Sequence, residues 1–189
     1  RRDIYVRRSK VDGYRSRAAY KLIEIDEKFK IFKNGISVID LGSAPGSWSQ
    51  YLSKKIKNSK IVSIDLREME AIDNTIQVLG DFTEEKNQSK IKGFFKSNVD
   101  VVLSDMAVNT TGNKNIDSIY TGELCMEAML FSKKILNNDG KFISKIFMGS
   151  TFNEIITEAK LIFREVKVFK PKSSRKDSKE SFIICKNLR

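Results

Sequence analysis

The stretch SVIDLGSAPGSW occupies residues 37–48. Its first five residues are mostly apolar and end at Gly42, a pattern that is typical of a buried strand. A helical pattern begins at Trp48 and continues to Ile56. Two glycines, Gly42 and Gly46, allow a tight turn between these elements and a close approach of the backbone to a ligand. The stretch therefore predicts a strand–loop–helix unit, and its GxxxG spacing taken alone indicates a nucleotide-like cofactor only weakly.

Further strands and helices alternate after this unit. Apolar runs predict strands at residues 60–66, 76–79, 99–105, 141–147, 166–169 and 181–185, and helical patterns fall at 16–30, 84–96, 117–137 and 152–163. This alternation predicts βαβ units and a mostly parallel sheet covered by helices on both faces. The last two strands are joined by residues 170–180 alone, which is too short for a helical crossover, so we expect them to pair antiparallel.

The expected fold is therefore α/β and Rossmann-like, with six parallel strands and one antiparallel strand near the edge of the sheet. A length of 189 residues predicts a single domain, with residues 1–33 as a basic segment and helix packed on its core.

Acidic residues stand at the ends of the first four predicted strands, at Asp40, Asp65, Asp81 and Asp105. Each one alone is compatible with a turn residue or a helix N-cap. In a parallel sheet, however, ligands bind at these strand ends. Asp65 lies at the end of the second predicted strand, and an acid at this position can accept hydrogen bonds from both ribose hydroxyls. A pocket lined by acids suits a ligand with hydroxyl, amine, ammonium and sulfonium groups, and is unsuited to a pyrophosphate. The residues therefore favour S-adenosylmethionine as the cofactor.

An NAD-dependent oxidoreductase is the alternative with the same fold. It is disfavoured because the loop lacks GxGxxG, and because the only YxxxK pair, Tyr51 and Lys55, comes too soon after that loop.

The formal net charge of +11 is unevenly distributed. Residues 1–33 have a net charge of +6 and residues 160–189 of +7, whereas residues 34–159 have a net charge of −2. Basic ends on a nearly neutral body favour binding to nucleic acid, with a solvated surface as the alternative. A membrane surface is a weaker alternative, because the N-terminal arginines and lysines come without a bulky apolar face.

The chain contains no histidine, which excludes Ser-His-Asp and Cys-His nucleophiles and every His-ligated metal site, so we predict no metal. Proton transfer must then use Lys, Asp, Glu, Tyr or Cys. Cys125 and Cys185 form no CxxC pair and are expected to be reduced and buried, which favours a cytoplasmic protein. No apolar stretch reaches the length of a membrane span, and residues 1–10 do not resemble a signal peptide.

Five blocks make the chain resemble a known family. They are RSRAAYKL (15–22), DLGSAPGSWSQ (40–50), LSDMAVN (103–109), SKIF (144–147) and KPKSSRKDSKESF (170–182). Together they resemble the FtsJ-type, or RrmJ-like, ribosomal RNA 2′-O-ribose methyltransferases over almost the whole chain. The resemblance implies a class I methyltransferase sheet and S-adenosylmethionine as methyl donor.

The same resemblance implies site residues. A Lys-Asp-Lys-Glu catalytic tetrad falls on Lys21, Asp105, Lys145 and Glu180. The cofactor contacts that it implies fall on Gly42, Ser43, Ala44, Pro45, Gly46, Trp48, Asp65, Asp81 and Asp105. Two positions depart from the family pattern, Val108 in place of a common proline and Ser47 in place of a common glycine. They put the rigidity of the loops in question rather than the activity.

Methyl transfer to a ribose hydroxyl needs a group that takes up the hydroxyl proton. With no histidine, we expect Lys145 to take it, with a pKa lowered by burial and by Lys21 as a cationic neighbour. Asp105 and Glu180 are expected to orient the two ammonium groups. The alternative is a structural salt-bridge network, and for Lys21, on an amphipathic helix, a plain surface position is the default interpretation.

The expected activity is methylation of a uridine 2′-oxygen in large-subunit ribosomal RNA, by a monomer that acts on the large ribosomal subunit. Two alternatives remain open. One is a tRNA or mRNA-cap 2′-O-methyltransferase of the same family. The other is a non-catalytic RNA-binding protein on a methyltransferase scaffold.

Overall fold

The computed structural model describes residues 3–108 and 111–189. Arg1 and Arg2 of the basic N-terminal segment, and Asn109 of the LSDMAVN block, lie outside the described residues. The helices are α1 (Ile4–Asp12), α2 (Ala19–Phe29), α3 (Ser47–Lys55), α4 (Glu85–Gly93), α5 (Lys114–Ile135) and α6 (Phe152–Ile162). The strands are β1 (Ser37–Leu41), β2 (Lys60–Asp65), β3 (Thr75–Leu79), β4 (Val99–Ser104), β5 (Leu136–Phe147), β6 (Phe163–Phe169) and β7 (Glu180–Leu188).

The strands form one seven-stranded sheet in the order β3-β2-β1-β4-β5-β7-β6. The neighbours from β3 to β5 pair in parallel, whereas β7 lies between β5 and β6 and is antiparallel to both. This confirms the predicted Rossmann-like α/β fold with one antiparallel strand. The short connection between β6 and β7 leaves no room for a crossover helix, so the chain reverses direction there.

The order of the strands reverses between β1 and β4. The chain runs outward from β1 to β3 and then returns to place β4 against the other edge of β1. Leu41 and Ser104 are partners in that pairing. The residues that follow them, Gly42 and Asp105, therefore lie side by side at the ends of β1 and β4. The backbone N–H of Asp105 donates to the carbonyl of Leu41 at 3.3 Å. In sheets of this kind, such a reversal opens a crevice at the carboxyl ends of the strands, where ligands bind.

Helices cover both faces of the sheet. Buried residues of α5 and α6, among them Met129, Phe131 and Ile155, join one apolar cluster with the strands, and Leu22 and Leu52 of α2 and α3 join the other. Among the residues that the structure describes, no helix is both long and apolar enough to cross a bilayer.

Two local features differ from the sequence prediction. β5 begins at Leu136 rather than at residue 141, and its pairing with β4 shifts register between Val99 and Val101. Residues 136–140, which the sequence prediction left outside the strand, thus lie in β5 at an irregularity in its pairing with β4. Helix α1 was not predicted, because it buries only Ser9 and therefore has no apolar periodicity to detect.

Candidate active site

The loop between β1 and α3 depends on two glycines with left-handed backbone conformations. Gly42 has a φ of 70° and Gly46 a φ of 113°. A Cβ atom on Gly42 would lie 2.4 Å from Cγ of Met106, so no larger residue fits between the ends of β1 and β4. Gly46 is the N-cap residue of α3. The two glycines therefore bring the loop against the end of β4 and then let the helix begin.

A cavity of about 490 Å³ opens at the carboxyl ends of β1 to β4. Three of the predicted acids, Asp65, Asp81 and Asp105, form part of its wall, together with Gly42 and Ala44. The rest of the wall is mostly apolar and consists of Ile64, Leu66, Phe82, Met106, Ala107 and Leu124, together with Gly80, Arg67 and Thr83. Carboxylates separated by apolar walls suit a ligand that presents several hydrogen-bond donors or positive charges around an apolar body.

Asp65 and Asp81 accept hydrogen bonds from nearby loop residues and also line this cavity. Asp65 accepts hydrogen bonds from the backbone N–H groups of Ala44, at 2.9 Å, and Arg67, at 2.8 Å. Oδ1 of Asp81 accepts from the backbone N–H of Thr83 at 2.9 Å and from its hydroxyl at 2.7 Å. The two interpretations of these acids, as turn residues and as pocket residues, are therefore compatible. Within the described part of the chain, Oδ2 of Asp81 accepts no hydrogen bond.

The other loop residues lie beside the cavity rather than in its wall. Ser43 lines an adjoining pocket of about 270 Å³ that shares Asp65. The carbonyl of Pro45 accepts a hydrogen bond from Nη1 of Arg15 at 2.9 Å, and the same nitrogen would lie 2.9 Å from a Cβ on Gly46. The loop is thus held from outside by the segment that precedes α2.

Trp48, a further predicted cofactor contact, also lies outside the cavity wall. Its side chain is buried in the apolar cluster beneath α2 and α3, and the ring packs against Phe182 with centroids 5.8 Å apart. Its indole N–H donates to the carbonyl of Ala18 at 2.8 Å. The indole therefore joins α3 to the start of α2 and does not line the cavity.

Asp40 also differs from the expectation of a carboxylate at a strand end facing a ligand. It lies within β1, is fully buried, and accepts a hydrogen bond from the Ser49 hydroxyl at 2.7 Å. Burial raises the pKa of Asp40 to about 7; the Ser49 hydrogen bond opposes this rise, and the charges of Asp105 and Asp65 add to it. Asp40 is thus a carboxyl group beneath the glycine loop that changes charge near neutral pH.

The four side chains of the predicted tetrad form one connected network. Nζ of Lys21, on α2, lies 2.8 Å from Oε1 of Glu180, the first residue of β7. Nζ of Lys145, on β5, lies 3.3 Å from the same oxygen and 3.1 Å from Oδ1 of Asp105. Elements that are far apart in sequence therefore place two ammonium groups and two carboxylates next to the 490 Å³ cavity, with Asp105 common to both.

The charge state of Lys145 is opposite to the one expected from the sequence. Burial alone would lower its pKa, but the charges of Asp105 and Glu180 outweigh burial and raise the pKa above its ordinary value. Burial likewise favours a higher pKa for Glu180, and the ammonium groups of Lys145 and Lys21 outweigh it and hold that pKa low. Lys145 is therefore an ammonium ion in the free protein, because the two carboxylates beside it outweigh its desolvation.

Another cavity of about 270 Å³ has Ser178 and Lys179, the two residues before Glu180, in its wall. Phe147 pairs with Glu180 across β5 and β7, so its ring lies in the wall of this cavity next to the tetrad. The remaining lining is polar or charged apart from Val108, and consists of Lys114, Asp117, Ser118, Asp177, Ser178 and Lys179. One aromatic face among hydrogen-bonding and cationic groups suits a nucleotide.

The two basic ends of the chain meet on one side of the site. The carboxylate of Asp3, at the start of α1, lies 3.0 Å from Nε of Arg17 and 3.7 Å from Nε of Arg175 in the loop before β7. The exposed cations of the two segments that meet here include Arg7, Arg8, Lys10, Lys172, Arg175, Lys176 and Lys179. Basic segments that are separate in sequence thus form one surface.

Arg15 does not belong to this free basic surface. Its guanidinium donates to the carbonyls of Pro45 at 2.9 Å, Glu70 at 2.9 Å and Ala71 at 3.0 Å. It therefore fastens the glycine loop to the segment after β2, a role that a count of positive charges could not reveal.

Both departures from the family pattern make contacts of their own. The hydroxyl of Ser47 lies 2.7 Å from that of Ser16, next to the start of α2. The backbone N–H of Val108 donates to the hydroxyl of Thr121 at 3.1 Å, a bond that a proline cannot make. These bonds hold the two loops to neighbouring helices.

The comparisons with known proteins agree with one another. The profile of the family described as FtsJ-like methyltransferase matches residues 14–188. The chain is 72% identical over 189 residues to Ribosomal RNA large subunit methyltransferase E of Pelagibacter ubique, covering 100% of this chain and 93% of the relative. It is 48% identical over 191 residues to the protein of the same name from Rickettsia bellii, covering 98% and 84%.

Solved structures give the same result. A crystal structure from Plasmodium falciparum, described as that of a ribosomal RNA methyltransferase, superposes with a TM-score of 0.82 at 34% identity. The match covers 93% of this chain and 98% of that one. A Streptococcus mutans methyltransferase matches with a TM-score of 0.58 at 13% identity over 88% of this chain and 97% of its own, which is a likeness of fold.

Proposed function

Because the chain belongs to the FtsJ-like methyltransferase family, we propose that it methylates a ribose 2′-hydroxyl of large-subunit ribosomal RNA with S-adenosylmethionine, and that the target is a uridine. Ribosomal RNA methylation is the activity named for its relatives. The position on the ribose and the roles of the residues are our proposal. The observation that supports it best is the ion-pair network of Lys21, Glu180, Lys145 and Asp105 beside the acid-lined cavity.

The 490 Å³ cavity fits the cofactor by its chemistry. Asp65 and Asp81 present carboxylates that accept hydrogen bonds from hydroxyl and amine groups, and Asp105 faces the same space with a charge that favours a cation. The apolar side chains of Phe82 and Met106 would pack against a purine ring. When bound there, S-adenosylmethionine supplies an electrophilic methyl group on a sulfonium.

Lys145 is the side chain that we propose to contact the 2′-hydroxyl. As an ammonium ion it has no lone pair with which to take up a proton. Nζ can accept the hydroxyl proton only as one of its own protons moves to Oδ1 of Asp105 or Oε1 of Glu180, which lie 3.1 and 3.3 Å away. The hydroxyl becomes strongly acidic as its oxygen bonds to carbon, so a carboxylate is a sufficient final acceptor.

Lys21 has a different part in this proposal. Its Nζ lies 2.8 Å from the oxygen of Glu180 that Lys145 also approaches, so it keeps that carboxylate ionised and turned toward Lys145. The network thus serves to hold the hydroxyl in place and to pass on its proton.

The target nucleotide would occupy the 270 Å³ cavity that contains Phe147 in its wall and lies next to Glu180. Phe147 offers a ring for stacking, and Lys114 and Lys179 offer ammonium groups to the phosphates on either side. The surface around Asp3 and Arg175 would bind the surrounding RNA through phosphates, since its exposed groups are arginine and lysine.

The test is transfer of tritiated methyl groups to ribosomal subunits from a strain deficient in 2′-O-methylation. We expect label in the RNA of the large subunit and none in that of the small subunit. A 2′-O-methyl group blocks alkaline cleavage of the adjoining phosphodiester, so the label should be recovered in alkali-resistant dinucleotides that contain uridine. Label in alkali-labile mononucleotides would instead show methylation of a base and would contradict the proposal, as would no label on any ribosomal RNA.

A further inference from the structure

The placement of Glu180 depends on the loop before it. Glu180 opens β7 directly after residues 170–179, and Oε1 of its side chain must meet both Lys21 and Lys145. A glutamate side chain has three rotatable bonds, so a fixed position needs further contacts. The structure provides such contacts at the second carboxylate oxygen and at the backbone of the loop.

Ser174 holds the second oxygen. Its hydroxyl donates to Oε2 of Glu180 at 3.0 Å, and the residue is buried although its neighbour Arg175 is exposed. The backbone N–H of Ser174 in turn donates to the carbonyl of Pro171 at 3.0 Å. With Oε2 occupied in this way, Oε1 is left facing the two lysines.

Glu24, on α2, anchors the backbone of the same loop. Its carboxylate accepts hydrogen bonds from the backbone N–H groups of Lys172, at 2.8 Å, and Ser173, at 3.0 Å, and from the hydroxyl of Ser173. Ser173 is fully buried. Glu24 stands three residues after Lys21 on α2, and residues with this spacing lie on the same side of a helix. One side of α2 therefore presents the lysine that pairs with Glu180 and also anchors the loop that delivers Glu180.

We infer that Ser174 and Glu24 are positioning residues for the methyl transfer: Ser174 fixes the orientation of the Glu180 carboxylate, and Glu24 fixes the loop that holds Ser174. The inference rests on the proposed function, since it assigns the roles of these residues through Glu180. Neither residue lines the 490 Å³ cavity or the cavity beside Phe147. Their effect is on the geometry and the charge of the network.

The test compares Ser174→Ala and Glu24→Gln with the wild-type protein in single-turnover methyl transfer to large ribosomal subunits, at saturating S-adenosylmethionine. A hydrogen bond to a charged group is among the stronger ones in proteins, so its loss should leave Glu180 correctly oriented in only a small fraction of molecules. We therefore expect the maximal rate to fall about 10-fold or more in each variant. In Ser174→Ala the subunit concentration at half-maximal rate should stay within about twofold of wild type, because Glu24 still anchors the loop that carries the basic residues. Ser89→Ala and Glu27→Gln, at exposed positions on α4 and α2, make the same chemical changes and should leave the rate unchanged.

The pH dependence separates positioning from simple support of the fold. The Ser174 hydroxyl bonds to the ionised form of Glu180 and contributes to its low pKa. In Ser174→Ala that pKa should rise, so the acidic limb of the rate profile should move to higher pH, which a loss of stability alone would not cause. Thermal unfolding of each variant shows whether it is folded at the assay temperature, and a Ser174→Ala protein that does not fold leaves the decision to Glu24→Gln.

The outcomes are distinguishable. Wild-type rate and an unmoved acidic limb in folded Ser174→Ala and Glu24→Gln proteins would overturn this inference and leave the proposed function intact. No transfer by the wild-type protein to any ribosomal RNA would reject the proposed function and this inference with it.

Discussion

Oδ1 of Asp105 lies 3.1 Å from Nζ of Lys145, and the same carboxylate forms part of the wall of the 490 Å³ cavity. Asp105 follows the last residue of β4, next to the end of β1, where the strand order reverses. Lys145 projects from β5, the neighbour of β4 on its other side. The register of three adjacent strands therefore brings the proposed cofactor site and the proposed proton-handling group into contact through one side chain.

Replacing Lys145 by methionine should abolish methyl transfer without loss of cofactor binding. The change keeps much of the length of the side chain but removes the ammonium group from between Asp105 and Glu180. We expect the single-turnover rate to fall about 100-fold or more, the usual range for loss of a proton-transfer group. Binding of S-adenosylhomocysteine, measured by calorimetry, should be at least as tight as in the wild type. Lys141→Met, four residues earlier on β5, is the matched control, and a similar loss of rate there would contradict the assignment.

Replacing Asp105 by asparagine should affect both functions at once. The amide keeps the shape of the side chain but removes the charge that faces the cavity and pairs with Lys145. We expect weaker cofactor binding in calorimetry and a lower single-turnover rate at saturating cofactor. Asp81→Asn changes a cavity acid that makes no contact with Lys145, so it should weaken binding alone. Equal effects of the two changes on the saturated rate would argue against the central position of Asp105.

The rate of methyl transfer should vary little with pH between about 6 and 9. The pKa of Lys145 is raised and that of Glu180 is lowered, so over this range the lysine stays protonated and the glutamate ionised. If Lys145 passes a proton to a carboxylate as it receives one, the rate does not depend on the small fraction of free amine. Single-turnover rates across this range check the point. A tenfold rise in rate for each unit of pH would show instead that the free amine is required.

The fold was predictable because its signals are local. The apolar β1 run, the two glycines after it and the short connection before β7 each restrict the chain within a few residues, and the sheet is mostly parallel with one antiparallel strand, as predicted. The cavity acids Asp65, Asp81 and Asp105 followed from the same reasoning, because strand ends in a parallel sheet share one edge.

Features that depend on distant partners were not predictable in the same way. Lys21 is on an amphipathic helix and, without the family resemblance, looks like any surface lysine; its partner Glu180 lies 159 positions later in the sequence. The expected low pKa of Lys145 was wrong because the sequence shows its apolar neighbours but not the two carboxylates that the fold brings beside it. The net charge of residues 1–33 includes Arg15 among the basic residues for the same reason, because the carbonyls that it binds belong to other loops.

The titration of Asp40 should make the stability of the protein depend on pH. The pKa of this carboxyl rises from an ordinary 3.8 to about 7 in the folded state, so the folded protein holds a proton that the unfolded chain loses above about pH 4. The free energy of unfolding therefore falls as pH rises from about 4 to 7, and this loss levels off above 7. Asp40→Asn removes this titration. The free energy of unfolding of the variant should therefore increase relative to that of the wild type across the same range, by at most about 4 kcal/mol. Urea unfolding of both proteins between pH 5 and 8 measures this difference, and a constant difference would show that Asp40 does not titrate there.

Arg15 and Arg7 should affect different ligands although both are N-terminal arginines. Arg15→Ala removes the three hydrogen bonds that join the glycine loop to the segment after β2, so we expect the Kd for S-adenosylhomocysteine to rise about 10-fold. The dependence of RNA binding on salt should stay the same, because the guanidinium is already occupied by carbonyls. Arg7 is exposed, so Arg7→Ala should leave cofactor affinity unchanged. It should reduce the slope of the logarithm of the RNA-binding constant against the logarithm of salt concentration by about one. If Arg15→Ala instead reduced the salt dependence and spared the cofactor, Arg15 would have to leave the loop to bind phosphate, and its hydrogen bonds to Pro45, Glu70 and Ala71 would not persist in the complex with RNA.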